Sequence, residues 1–96
     1  MTLRETLEAA AEPDGSTAWS VRGVAFATLS PDGAQAAFLL DAIVAGAATR
    51  TPDVIRSAGR GPGWVELRPP VFDSHAADRA NAWFLSGHRR LTGPGA

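Results

Sequence analysis

Apolar side chains recur along this chain with two different periods, and the switches between them mark out its elements. Leu3, Leu7 and Ala10 or Ala11 share one face of a short helix. Thr2 and Glu5 open it as a capping box, each side chain accepting the other's free backbone amide. Pro13-Asp14-Gly15-Ser16 ends it with turn formers. From Thr17 to Arg22 the period drops to two, with Trp19 and Val21 alternating against Ser20 and Arg22 as in a half-buried strand. Gly23 permits a bend before a second strand over 24–29. Ser30-Pro31-Asp32-Gly33 then carries the Pro and Gly of a hairpin turn, so that 34–40 returns as a third strand.

Asp41 is placed to cap a short helix over 42–49, in which Gly46 costs about 1 kcal/mol relative to Ala. Thr51 precedes Pro52 and is pushed out of the helical region, so 53–56 reads as extended. In the segment 64–68, Val65 and Leu67 fall on one strand face and Trp64, Glu66 and Arg68 on the other, until Pro69-Pro70 stops it. Asp73 caps a last helix whose stripe of Ala76, Ala80, Trp83, Phe84 and Leu91 follows the 3.6-residue period. Arg89 and Arg90 complement its negative end, and Gly93-Pro94 supplies a stop. Helix, three strands, helix, one or two strands, helix predicts an α+β fold. It is a single two-layer domain over 1–96, with a mainly antiparallel sheet and helices packed on one face.

The absence of cysteine removes disulfides and thiolate metal sites and fits a reducing, cytoplasmic compartment. Charges follow Met1 where a secretory signal needs apolar residues. The longest apolar run, 34–48, is broken by Gln35 and Asp41 and is shorter than the ~18 residues of a membrane span, so a soluble protein is expected. All nine basic residues are arginine, but nineteen alanines beside them point to coding bias more than to selection for guanidinium forks. Placement of charge says more. Residues 1–48 hold six acids against two arginines, and 49–96 hold seven arginines against four acids, which puts any anion-facing surface in the second half.

Several motifs suggest chemistry and then fail on spacing. Gly59-Arg60-Gly61-Pro62-Gly63 has the glycines of a phosphate loop, but Trp64 and a strand follow where a fingerprint needs glycine and a helix, so a turn is expected. His75 and His88 lie about 20 Å apart along one helix and cannot share a metal. Ser74, His75 and Asp78 supply triad residue types, yet neighbours on one helical turn cannot form the nucleophile, base and orienter line. Catalytic residues, metal sites and cofactors are therefore not expected. Trp64 reads either as core or, if the sheet face is open, as a surface for stacking on a base or anchoring a partner.

Three stretches carry a resemblance. They are Val21-Arg22-Gly23-Val24-Ala25-Phe26-Ala27, then Gly63-Trp64-Val65-Glu66-Leu67, and the last helix with Trp83 near its centre. In these residues and the order of elements over about 18–92, the chain resembles the MmcQ/YjbR-like family of small bacterial proteins. Val24 stands where such proteins usually carry a lysine, and the N-terminal helix is shorter. The resemblance implies a compact domain of the CyaY/YjbR type, described as a double-wing DNA-binding module. The expectation is a non-enzymatic module that binds nucleic acid (DNA), with Arg60, Arg68, Arg89 and Arg90 on phosphates and Trp64 as a stacking surface. The alternative is a protein-interaction or self-association domain that uses the aromatic and Arg-bearing sheet face.

Overall fold

The computed structural model describes residues 2–10, 13, 17–51, 54–56, 61 and 63–92. Helix α1 (Leu3–Ala10) is followed by strands β1 (Ala18–Val21), β2 (Val24–Leu29) and β3 (Ala36–Leu39), then helix α2 (Ala42–Ala48). Strands β4 (Val54–Arg56) and β5 (Trp64–Leu67) come next, and helix α3 (Ser74–Thr92) is the last described element. The strands form one antiparallel sheet in the order β1-β2-β3-β5-β4. The α+β expectation holds, and the segment before Pro69 resolves into two strands, the later of which slots between β3 and the edge strand β4.

Local chemistry explains the boundaries. The capping box forms as read: the Thr2 amide donates to Glu5 Oε1 at 3.0 Å and the Glu5 amide to Thr2 Oγ1 at 3.1 Å. Asp41 accepts from the Ile43 and Val44 amides at the start of α2, and Asp73 from the Ala76 amide at the start of α3. In the β2–β3 turn the Asp32 carboxylate accepts from the Ser30 hydroxyl and the Ala34 amide.

Residues paired across neighbouring strands share a sheet face. Trp19, Ala27, Leu29, Ala36, Phe38, Val65, Leu67 and Val54 occupy the same face by register, and all are buried. Helix α3 lies over β1, β2 and β3 on that side and packs against α1, while Ala45 and Ala48 bring α2 into the same core. Phe84 sits at the centre, edge-on to Trp19 at 5.7 Å and to Phe26 at 5.1 Å between ring centroids. Simple alternation would turn Phe26 away from this side, because Ala27 already faces it. The register shift resolves this: Trp19 pairs with Ala27 and Ser20 with Ala25, so Phe26 is the extra residue of a bulge, re-aimed into the core.

Helix α3 is the longest described element. Its 19 residues run about 28 Å. It starts beside the β2–β3 turn and the Pro69–Phe72 connector. It ends beside the β1–β2 turn and the start of β5, where Gly87 lies against Leu39 and Phe26 and the His88 ring meets Phe26 at 5.5 Å.

Candidate nucleic-acid interface

The β1–β2 connection is two residues long, with Val21 paired to Val24. Arg22 (φ 53°) and Gly23 (φ 82°) both have positive φ, as a type I′ turn requires to match the strand twist. Arginine in that position is held against the steric preference of an L-residue, at a cost of roughly 1–2 kcal/mol. The turn projects the exposed Arg22 side chain at the end of the sheet where α3 finishes. Arg89 and Arg90, exposed on the last turn of α3, stand at the same end. Arg56 closes β4 opposite Val65 and is exposed on the same half of the sheet, about 14 Å across from β2 at three strand spacings.

Among the described residues, none of these four arginines lies within 4.0 Å of a carboxylate. Asp41, engaged as the α2 cap, is the one described acid that the topology brings to this end. Exposed His88 sits among them. The opposite end carries Glu5, Asp32 and Asp73. Thr2 amide and hydroxyl groups hold the Glu5 carboxyl below its usual range, the Ser30 hydroxyl and Ala34 amide do so for Asp32, and the Ala76 amide for Asp73. Charge along the α3 axis is thus mixed at the start, where Arg68 and Arg79 stand among these acids, and basic at the C-terminal end. That end also carries the negative pole of the helix, which Arg89 and Arg90 offset.

The residues expected to contact phosphate do not all meet. Arg89 and Arg90 do. Arg60 lies outside the described residues, as does most of the glycine-rich stretch around it. Arg68 follows β5 at the far end of the sheet and on the face away from α3, where it pairs with Glu66 at 3.7 Å. Arg79 lies near the start of α3, within the field of Asp73. Trp64 is half-buried on the open sheet face beside Glu66, opposite the buried Val65 and Leu67, so it is neither core nor fully exposed. Arg22 and Arg56 were missed. Arg22 falls in the acidic half of the chain, and the only signal for it is a two-residue Arg-Gly connection between strands.

Other candidate sites are weaker. Two shallow hollows of about 330 Å³ and 280 Å³ flank Phe72 near the start of α3. Their polar groups are few, and Asp73 is already engaged as a cap, so nothing there pairs a nucleophile with a base. Among the described residues no group of three His, Asp or Glu side chains could hold a metal ion. No described helix is long and apolar enough to cross a membrane. No protein-family model matches the chain, and no curated protein or solved structure matches it.

Proposed function

We propose that this domain is a binding module for a phosphate polyanion, nucleic acid being the natural class, through the basic end formed by Arg22, Arg56, Arg89 and Arg90. The observation that carries the reading is convergence: four guanidinium groups from three separated segments share one end of the domain with no carboxylate within ion-pair distance among the described residues. Arg22 adds weight, because a strained arginine occupies a turn where Asn or Gly would fit more easily. The resemblance to the MmcQ/YjbR-like proteins points the same way. Arg68 and Trp64 are not needed for this contact.

Such binding is electrostatic and weakly sequence-dependent, since guanidinium groups on phosphates position a protein without reading bases. The test is fluorescence anisotropy of a labelled oligonucleotide across a salt series. Each duplex phosphate neutralised adds about 0.9 to the slope of log K against log salt, so the triple variant R22A/R89A/R90A should flatten it by about 2.7. Equal slopes for variant and parent would overturn the assignment.

A further inference from the structure

His88 stands on the second-last turn of α3, one residue before Arg89, and is exposed. Its ring sits edge-on to Phe26, 5.5 Å between centroids and 69° between planes. Phe26 is buried against Phe84, so the imidazole has a fixed seat. Val24, two residues before Phe26 and about 7 Å along β2, follows directly on the Arg22–Gly23 turn. The seat therefore holds the imidazole on the rim that carries Arg22, Arg89 and Arg90.

Charges around that rim come from several elements. The β1–β2 turn supplies Arg22, β4 ends in Arg56, and α3 adds Arg89 and Arg90 beside the negative pole of its own last carbonyls. Strands β1, β2 and β3, against which α3 packs, carry no charged side chain. Asp41 starts α2, with its carboxylate taken up by the Ile43 and Val44 amides. Glu66 in β5 lies on the other sheet face, paired with Arg68. Helix α1 also packs against α3 and carries Arg4, Glu5 and Glu8. It begins beside Phe72, at the far end of α3, and its eight residues span only about 12 Å, so Glu8 stops short of the His88 turn. The field at His88 is set mainly by arginine.

We infer that His88 is a fifth contact of the basic end, made when its ring is protonated, so that a polyanion binds here with uptake of a proton. This contact presupposes the polyanion reading of the same end. In the free domain the neighbouring arginines oppose a further positive charge, and phosphates docked among them reverse that field. Histidine is the side chain whose ordinary titration falls between about pH 5 and 8, whereas arginines and carboxylates keep their charge over most of that range. A ring held protonated more strongly in the complex than in the free domain makes affinity rise as pH falls, and the gain is lost as pH rises through the bound-state titration. For an exposed ring the gain is about three- to fivefold between about pH 7.5 and about pH 5.5.

Anisotropy of a short DNA duplex, with unphosphorylated ends and a dye that does not titrate, reads the affinity at both pH values and fixed salt. The parent should tighten by the factor given, and its log–log salt slope should steepen by about 0.9 at the lower pH, one more cation being engaged. His88→Gln should keep the affinity seen at the higher pH and lose the gain. His88→Arg should bind alike at both values, near the tighter level. His75→Gln, on the exposed first turn at the far end of α3, should keep the parent's dependence. Circular dichroism checks that each variant folds. In the labelled protein, the His88 ring resonances should titrate at higher pH with saturating duplex than without it, and those of His75 should not move. A parent that binds equally at both values, or a His88→Gln protein that retains the gain, would overturn the proton-linked contact and leave polyanion binding in place. Absence of binding at either pH would overturn both.

Discussion

Two glycines inside helices offer the same gain and should respond with opposite signs. Replacing a helical glycine by alanine favours the helix by about 1 kcal/mol. At Gly46, in α2, a new Cβ meets nothing within 4 Å, so Gly46→Ala should stabilise the domain by about 0.5–1 kcal/mol. At Gly87, in α3, the Cβ would lie 2.9 Å from the Leu39 carbonyl oxygen and 3.2 Å from Phe26 Cδ2. The carbonyl belongs to β3 and cannot swing aside. Phe26 is wedged against Phe84 and His88 and has little room to yield. Overpacking of this kind costs about 1–3 kcal/mol, which offsets the helix gain and leaves Gly87→Ala destabilised by about 1 kcal/mol. For a chain of this size the thermal midpoint should rise by about 2–8 °C at Gly46 and fall by about 4–8 °C at Gly87. Thermal unfolding by circular dichroism reads both. A Gly87→Ala protein that melts above the parent would refute the seating of α3 on β2 and β3.

Three further outcomes follow from the same geometry. Phe84→Ala empties the centre of the Trp19–Phe26–Phe84 cluster and should cost about 3–5 kcal/mol, whereas Phe84→Leu should cost clearly less; urea unfolding of the pair measures the difference. Arg22→Asn relieves the positive φ and should raise the thermal midpoint while weakening oligonucleotide binding, a trade-off absent if the turn is not strained. Asp32 and Asp73 have folded values below the ordinary 3.8. The unfolded chain therefore takes up more protons near that pH, and the stability these groups confer is present above it and lost as pH falls through their folded values. Replacing both by alanine should flatten the decline of the thermal midpoint below pH 4, and an unchanged pH profile would count against the hydrogen bonds their carboxylates accept.

Elements held by local chemistry were legible in the sequence: the Thr2–Glu5 box, the Asp41 and Asp73 caps, the 30–33 turn and the apolar stripe of α3 all stand where spacing put them. Pairing at a distance was not. Nothing near β5 in the chain says that it enters between β3 and β4, because the hydrogen bonds that place it come from residues 36–39. The Phe26 bulge was equally hidden, since alternation cannot register an extra residue until its partner strand is known. Arg89 and Arg90 could be read as a basic helix end. The excess of arginine in the second half of the chain groups Arg68 with them, whereas β5 sets it on the other face and at the other end. Arg22 joins them only through the fold.

Polyanions should meet this domain at the end where α3 and the β1–β2 turn finish. Titration of the isotopically labelled protein with a short oligonucleotide, followed by amide chemical shifts, tests it residue by residue. Saturable shifts are expected at Arg22, Gly23, Arg56 and His88–Leu91, with residues 71–78 unmoved. Shifts concentrated around Phe72 and Asp73, or none at any residue, would contradict it.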